Sequence, residues 1–267
     1  MHSPVVGVSP SAKRWVFAAA LSTIFMAAIE GTIVATAMPT IVGTLGGFDL
    51  FSWVFSAYLL AQATTIPIYG QYADIYGRKR ILFLGIGLFL VGSLLCGFAW
   101  NMMSLIAFRI VQGVGAGALV PVAQTIVGDL YSGEDRARMQ GYVSSTFGSA
   151  AILGPTVGSL VVAHMPWSMV FWINVPLGIV AGVMLAITLN EQAQKRPYRI
   201  DYIGSALMVL GTAMLMFAVV QAPILSSVAI VGLIVTSLLF LAALFAYERR
   251  APEPMLPLKL FRTRAVA

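Results

Sequence analysis

Two ionisable side chains stand inside long apolar stretches of this sequence. Glu30 is the only carboxylate well inside an apolar run, and Arg109 is the only basic residue inside one. A charged group within a membrane is costly and by default marks a functional site that faces the interior of a helix bundle. Burial favours the neutral form of a carboxyl group, so Glu30 could load and release a proton. A structural ion pair, or an acid near the outer interface, is the alternative for Glu30.

The spans that carry these two residues place them at similar depths. Arg109 follows the predicted start of its span near Met103, and Glu30 precedes the predicted end of its span near Thr36. At the helical rise per residue, both lie roughly 9 Å below the outer face. A direct or water-bridged pair is therefore compatible with the sequence, although equal depth does not show that the two helices touch. In such a pair, Arg109 would hold the acid ionised.

The composition is that of a membrane protein. Of the 267 residues, 59% are hydrophobic and only 10% are charged, and the mean hydropathy is +0.90. Soluble domains carry about 25% charged residues, so this chain could not cover itself with polar surface in water. The net charge of +6 does not indicate nucleic acid, because the basic residues cluster between the apolar runs. We expect the lipid bilayer as a partner, and no nucleic acid.

Eight apolar runs have the length that a membrane-spanning helix needs, roughly 20 residues. With eight spans, every cluster of Lys and Arg falls on the side of the N-terminus, and the opposite connections contain none. By the positive-inside rule, both ends of the chain are cytoplasmic. The first run is longer than a signal-peptide core, which favours a retained signal anchor. The predicted spans are Trp15–Thr36, Phe51–Tyr69, Ile81–Ala99, Met103–Val127, Gly141–Ala163, Trp167–Leu189, Tyr202–Gln221 and Val228–Tyr247.

The spans group into two sets along an all-α membrane protein. A polar connection separates the first six spans from the last two, and a basic segment with several prolines ends the sequence. The single Cys96 has no partner for an intrachain disulfide. The predicted divisions are a cytoplasmic N-terminus at 1–14, a six-span N-terminal domain at 15–189, a cytoplasmic connection at 190–201, two extra spans at 202–247, and a cytoplasmic tail or a connector to a ninth span at 248–267.

A short basic stretch, Gly70–Arg80, lies between the second and third spans and is predicted to be a tight loop. Its sequence, GQYADIYGRKR, resembles the loop between spans 2 and 3 of the major facilitator superfamily, G-x-L-A-D-R-x-G-R-K/R-x. Tyr72 and Ile75 depart from that pattern. A solvated charge run is the alternative for an isolated basic tripeptide. The resemblance implies a gating role for Gly70, Asp74, Gly77, Arg78 and Lys79.

Spans 4 and 5 carry two further motifs of this family. The run RIVQGVGAGA, which begins at Arg109, resembles R-x-x-Q-G-x-G-A-A, in which the family ties the Arg to proton transfer. Gly113 and Gly117 form a G-x-x-x-G face where another helix can approach closely, and packing explains them better than substrate contact does. The run GSAAILGPTVGS resembles the antiporter motif of exporters, G-x-x-x-G-P-x-x-G-G, with Ala and Ser replacing its first and last Gly. The residues assigned to this motif are Gly148, Gly154, Pro155 and Gly158.

Two more stretches point to one branch of the family. The run EGTIVATAMPTI, which begins at Glu30, resembles a span-1 signature with Glu in place of Asp, and WSMVFWINVPLG resembles the entry to span 6. Together they resemble the fourteen-span drug:proton antiporter branch, of multidrug-efflux type, which inserts two extra spans between two six-span halves. The resemblance implies a six-helix N-terminal bundle plus two additional transmembrane helices, with the C-terminal six-helix half absent from this sequence.

The resemblance implies proton-coupled export of small lipophilic, cationic compounds across a bacterial-type cell membrane. Glu30 would carry the proton or the cation, Arg109 would tune it, and H⁺ would be the coupling ion with no other cofactor. The alternative is a non-transporting half-transporter or a regulatory membrane module that assembles with another chain, such as a second half-transporter. The sequence holds no enzymatic motif and no cluster of metal ligands, so we expect neither an enzyme nor a metal site. By family analogy a cavity would be lined by Met26, Tyr58, Gln62, Gln112, Gln124 and Phe147, although helix packing explains each equally well.

Overall fold

The computed structural model describes residues 10–189, 201–222 and 225–249, and these residues are almost entirely helical, with no strand among them. Most of the predicted N-terminal segment, connection and tail lie outside the described residues. A short 3-10 turn, Phe48–Leu50, precedes the second helix. The α-helices are α1 (Pro10–Leu45), α2 (Phe51–Tyr76), α3 (Arg78–Gly97), α4 (Met102–Leu130), α5 (Gly133–His164), α6 (Met169–Trp172), α7 (Asn174–Thr188), α8 (Tyr202–Val220) and α9 (Ser227–Glu248).

Seven of the described helical segments are long and apolar enough to cross a membrane, with α6 and α7 taken together as one. The predicted span that is not among these seven is the second in chain order, α2. It has 26 residues but carries Gln62, Thr64 and Thr65 among its apolar residues. The hydroxyls of Thr64 and Thr65 donate to carbonyl oxygens of α2 itself, so these polar groups are satisfied within the helix. The predicted all-α fold of a multi-pass membrane protein is therefore confirmed.

The first and fifth helices extend well beyond their predicted spans. α1 does not end at Thr36 but continues to Leu45, because its outer part packs into a buried apolar cluster with α2, α4 and α5. Gly46 and Gly47, with φ of 71° and 72°, then end the helix in the left-handed region that glycine adopts readily. α5 begins already at Gly133, where two acidic residues in its first turn interact favourably with the helix dipole.

The prediction of a loop over Gly70–Arg80 is wrong for all but one residue. α2 continues through this stretch to Tyr76, and α3 begins at Arg78. Gly77 between them has φ 92° and ψ 145°, a backbone conformation that a residue with a side chain rarely adopts. The turn therefore needs only this glycine, and the flanking polar residues remain helical.

α4 is the central helix, with its most extensive contacts to α3 on one side and to α2 on the other. A Cβ atom added at Gly113 would overlap the backbone carbonyl of Tyr58, and one added at Gly117 would overlap the hydroxyl of Thr65. Gly115, on the opposite side, lies equally close to the backbone of Phe89 in α3. The predicted G-x-x-x-G packing face is thus confirmed, and α2 is the helix that approaches it.

α8 and α9 pack mainly against each other and reach the rest of the bundle through α2. The hydroxyl of Ser237 in α9 donates to the carbonyl of Gly211 in α8 at 2.7 Å. The rings of Trp53 in α2 and Phe217 in α8 lie 5.9 Å apart between centroids. The two additional helices therefore flank the six-span bundle and contribute nothing to its centre.

Candidate functional site

Glu30 of α1 and Arg109 of α4 form an ion pair at the centre of the bundle. Nη1 of Arg109 lies 2.5 Å from Oε1 of Glu30, and the two side chains are 0% (Glu30) and 1% (Arg109) exposed. The direct pair of Glu30 and Arg109, which their similar predicted depths made compatible with the sequence, is present, and α1 and α4 are in contact. Glu30 is enclosed by protein and is not an acid at an exposed interface. The ion pair itself leaves a structural role and a functional role both open.

Three further side chains complete a hydrogen-bonded network around this pair. Nη1 of Arg109 donates to Oε1 of Gln112 at 2.7 Å, and Nε2 of Gln112 donates to Oε1 of Glu30 at 3.0 Å and to Oγ of Ser93 at 2.7 Å. Nδ2 of Asn174 donates to Oε2 of Glu30. Each of the five side chains belongs to a buried residue. We call Glu30, Ser93, Arg109, Gln112 and Asn174 the polar network; it joins α1, α3, α4 and α7.

Aromatic and backbone groups fix the guanidinium of Arg109 in place. Its Cζ lies 4.0 Å from the ring centroid of Tyr58 in α2 and 6.0 Å from that of Phe171 in α6. Its Nε donates to the backbone carbonyl of Val54 at 3.2 Å. Cation–π contacts of this kind strengthen when the cation is removed from water. The arginine is therefore held from several directions, and Glu30 is its acidic partner among the described residues.

This arrangement couples the charge of the core to one proton. With Glu30 ionised, its charge and that of Arg109 compensate each other within the low-dielectric interior. When Glu30 takes up a proton, the positive charge of Arg109 is left with only neutral hydrogen-bond acceptors, Gln112 and the Val54 carbonyl. Loss of one partner of a buried ion pair costs about 3 to 5 kcal/mol, because the other charge is then uncompensated. Protonation therefore favours any rearrangement that supplies Arg109 with another partner or with water.

A break in the sixth span positions Asn174 toward Glu30. Pro176 has no N–H, so the carbonyl of Trp172 loses the helical bond that residue 176 would donate. α6 ends at Trp172 and α7 begins at Asn174, with Ile173 between them. Nε1 of Trp172 donates to the carbonyl of Leu94 in α3 at 3.3 Å, which anchors this segment beside Ser93.

Sequence reasoning missed Asn174 and Ser93 as members of the site. Asn174 stands within the span-6 motif, and a lone amide in an apolar run was a usable signal for a buried polar contact. Ser93 gave no signal, because a serine inside an apolar helix commonly donates to its own helix. Gln112 was predicted only as a cavity residue, whereas it bonds both members of the ion pair.

A cavity of about 400 Å³ opens between α1, α5 and α7, with mostly apolar side chains on α1 and α7 and hydroxyls on α5. Its hydroxyls include those of Ser145, Thr146 and Ser149. None of the six predicted cavity residues lines it. Met26, Tyr58 and Gln112 are buried, Gln62 and Gln124 are half-buried, and Phe147 is 40% exposed. A role of these six in lining a substrate cavity stays a prediction.

The gating residues predicted from Gly70–Arg80 lie where α2 and α3 meet. Arg78 forms an ion pair with Asp129 of α4, a residue that sequence reasoning did not single out. Nη2 of Arg78 also lies 3.9 Å from Oδ1 of Asp74. The side chain of Arg78 is 15% exposed, that of Asp129 26% and that of Asp74 74%. We call Asp74, Arg78 and Asp129 the charged cluster; it is polar, partly hydrated and far more open than the polar network.

Lys79 links the start of α3 to the end of α7. Its Nζ donates to the carbonyl of Ala186 at 2.9 Å and to that of Leu189 at 2.5 Å, so a cation caps the negative end of the α7 dipole. Gly70 is exposed, and no neighbouring atom lies within 4 Å of a Cβ added there. Of the predicted gating residues, Arg78 and Lys79 therefore make contacts between helices in this structure, and Gly77 forms the turn. The gating role of Gly70, Asp74, Gly77, Arg78 and Lys79 stays a prediction.

The antiporter-like motif of α5 packs against α1. A Cβ atom added at Gly154 would overlap the hydroxyl of Thr32, and Thr32 Oγ1 donates to the carbonyl of Ala150 at 3.2 Å. Gly158 faces the same helix. Among the described residues, Gly148 has no neighbour within 4 Å of an added Cβ, and its assignment to the motif stays a prediction. Ala150, one turn before Gly154, stands where the pattern has its first Gly and lies on the buried side of α5.

The other side of α5 is uncovered among the described residues. Pro155 and Ser159 are both exposed, and Ile152 is 73% exposed. Pro155 therefore acts on the hydrogen bonding of α5 itself and touches no other helix closely enough to be buried.

Comparisons with known proteins are consistent with this fold. A family model described as Major Facilitator Superfamily matches residues 20–250. Multidrug resistance protein 3 of Bacillus subtilis (strain 168) is 39% identical over 260 residues, which is 96% of this chain and 51% of that protein. The multidrug transporter protein MdtP of the same organism is 39% identical over 243 residues, covering 90% of this chain and 45% of that protein. The efflux pump FUS6 of Gibberella moniliformis is 35% identical over 268 residues, covering 95% and 47%.

A solved structure supports the helix arrangement. The human organic anion transporter MFSD10 (TETRAN) superposes with a TM-score of 0.64 at 18% sequence identity, covering 80% of this chain and 56% of that one. At this identity the likeness concerns the fold alone. The chain spans about half the length of the curated relatives it matches. The family match over most of the sequence and the identity to these relatives confirm the resemblance seen in the motifs, and the chain belongs to the major facilitator superfamily.

Proposed function

We propose that this protein takes part in the proton-coupled export of small lipophilic, cationic compounds, with H⁺ as the coupling ion. The names of its relatives, which include multidrug transporters and efflux pumps, support the class of activity. Because the chain spans about half the length of these relatives, the transport cycle is proposed for the full-length protein. We place it in a bacterial-type cell membrane with both termini cytoplasmic, on the basis of the one-sided distribution of Lys and Arg.

The observation that carries this proposal is the enclosed pair of Glu30 and Arg109. Glu30 is the carboxylate that can bind a proton or a cation at the centre of the bundle, and Arg109 sets which state it prefers. A proton and a cationic substrate would compensate the charge of Glu30 in turn, so the two would compete for it. Competition of this kind is what exchange requires, because the site releases one as it accepts the other.

Replacing the carboxyl of Glu30 tests the proposal. The full-length protein is reconstituted in proteoliposomes, and proton movement is followed with a pH-sensitive dye after substrate addition. We expect Glu30→Gln to abolish substrate-dependent proton flux, because the amide cannot take up the proton. Glu134→Gln, the same change at an exposed position in the first turn of α5, is the matched control and should keep wild-type flux. Wild-type exchange in Glu30→Gln would remove Glu30 from the mechanism.

A non-transporting half that assembles with a second half-transporter chain is the alternative. Reconstitution of the purified 267-residue chain separates the two proposals. Proton-coupled flux by this chain without any partner would exclude the non-transporting role.

A further inference from the structure

We propose that the side-chain amide of Asn174 pairs with Glu30 in both protonation states, as a donor to the carboxylate and as an acceptor from the carboxylic acid. Asn174 is thereby a positioning residue for the proton-binding group. The inference rests on the proposed function, in which Glu30 takes up and releases a proton.

The two oxygens of Glu30 differ in their surroundings. Oε1 accepts hydrogen bonds from Nη1 of Arg109 and from Nε2 of Gln112. Oε2 accepts one from Nδ2 of Asn174 and from no other described group. A proton on Oε1 would face a guanidinium N–H and an amide N–H, whereas a proton on Oε2 would face the amide of Asn174 alone. Oε2 is therefore the oxygen that takes the proton.

The amide of Asn174 carries a spare acceptor at the right place. Its Oδ1 is buried and accepts no hydrogen bond from the described residues. A buried carbonyl without a donor is uncommon and needs an explanation. A half turn of the amide group about its Cβ–Cγ bond exchanges the places of Nδ2 and Oδ1, so that Oδ1 faces Oε2 of Glu30.

Protonation of Glu30 is then accompanied by rotation of the Asn174 amide. The arriving proton forms one O–H bond at Oε2 of Glu30, and that O–H donates to Oδ1 of Asn174; no other covalent bond changes. Loss of the proton reverses the rotation, and Nδ2 again donates to the carboxylate. In the observed orientation Nδ2 also donates to Oγ of Ser93 at 3.4 Å, and in the rotated orientation this hydroxyl can instead donate to Oδ1. Each orientation leaves one atom of the amide unpaired, so neither orientation excludes the other. A group with two nearly balanced orientations can follow a change of charge.

Hydrogen bonding is the route by which Asn174 acts. The titratable groups that face Glu30 are Arg109 from α4, Tyr58 from α2 and Cys96 from α3. The described residues of α6 and α7 contribute no ionisable side chain. A substitution at Asn174 by an apolar residue therefore changes the hydrogen bonds of Glu30 and leaves its charged neighbours in place.

The test is the pH dependence of Glu30 protonation in the full-length protein. The carboxyl stretching band of Glu30, identified by its absence in Glu30→Gln, is titrated by infrared difference spectroscopy in lipid. Asn174→Leu is similar in size but neither donates nor accepts. A hydrogen bond to a carboxylate is stronger than one from a carboxylic acid, so we expect this variant to bind the proton at a pH about one unit higher. Asn174→Gln keeps both functions and should restore the midpoint toward wild type.

Control variants separate this role from a structural one. Thr188→Val removes a hydrogen bond to the Met184 carbonyl at the far end of α7 and should leave the midpoint unchanged. An Asn174→Leu protein that transports more slowly with an unshifted midpoint would contradict the inference. If Asn174→Leu does not fold, Asn174→Asp replaces it. Two neighbouring acids then share one proton, so the pH midpoint of Glu30 protonation must rise. An unchanged midpoint overturns the inference. Retained exchange in Glu30→Gln would instead overturn the proposed function, while the infrared titration still reports on Asn174.

Discussion

Two regions of this molecule each bind an arginine to an acid, and they do so in opposite surroundings. In the polar network, Arg109 and Glu30 are essentially without exposure and are surrounded by side chains from four helices. In the charged cluster, Arg78 contacts Asp129 and lies near Asp74, whose side chain is 74% exposed. Water and salt reach the second region and are excluded from the first.

This difference in exposure determines where a change of charge has the largest effect on the free energy of the protein. Partly exposed ion pairs contribute little, because water solvates each partner when the other is removed. An enclosed pair is sensitive to the loss of either partner, because nothing replaces it. Under the proposed function, proton binding at Glu30 would therefore change the free energy of the bundle more than any change of charge in the charged cluster would.

The largest expected effect is that of an unpaired charge in the polar network. Arg109→Met should lower the free energy of unfolding by about 3 to 5 kcal/mol, because ionised Glu30 loses its counter-charge. The thermal unfolding midpoint of the purified protein in detergent checks this. The double variant Arg109→Met with Glu30→Gln should recover much of the loss, and a double variant as unstable as the single one would show that the charge is not its cause.

A smaller effect is expected from the same kind of change in the charged cluster. Arg78→Met removes the pair with Asp129 and should lower the free energy of unfolding by about 1 kcal/mol, because both sites are partly hydrated. The midpoint in the same detergent measures it. High salt should reduce the difference between Arg78→Met and wild type, and should leave the difference caused by Arg109→Met almost unchanged. Equal salt sensitivity of the two variants would erase the distinction between the regions.

Lys79→Met should have a smaller and more local effect. It removes the two hydrogen bonds to the last carbonyls of α7 and should cost about 0.5 kcal/mol. Hydrogen exchange of peptides from the end of α7 is the measurement, and it should become faster there and stay unchanged in α4. Unchanged exchange at residues 186–189 would mean that the lysine does not stabilise this helix end.

Asp74→Asn should leave the unfolding midpoint within error of wild type, because the carboxylate is mostly in water. Its expected effect is kinetic: substrate-dependent turnover of the full-length protein slows more than substrate affinity weakens. Rate and binding are measured on the same reconstituted samples. Weakened binding with unchanged turnover would remove Asp74 from a gating role.

The sequence allowed much of the fold to be predicted, since long apolar runs can only form helices in a bilayer. The helix boundaries were less accessible. α1 runs past Thr36 because contacts distant in the sequence cover its outer turns, and α2 runs to Tyr76 because a single Gly77 suffices for the turn. Neither effect leaves a mark in hydropathy alone.

For the site, Glu30 and Arg109 were identifiable because a charge in an apolar run is rare. Their contact was beyond the sequence, since depth fixes height in the membrane and leaves the rotation of each helix open. Ser93 and Asn174 were not recognised for a related reason: neutral polar residues occur often in such helices, and only the packing of α3, α4 and α7 shows which of them face Glu30.

The single residue between α2 and α3 constrains how these helices can move. Because only Gly77 separates Tyr76 from Arg78, the Cα atoms of those two residues can never be farther apart than two peptide steps, about 7.6 Å. Spectroscopic probes placed at these two positions would thus report a short distance in any conformation of the protein. This pair would serve as an internal distance reference. A second pair of probes at the far ends of the same helices, near Phe51 and Gly97, can be compared with it.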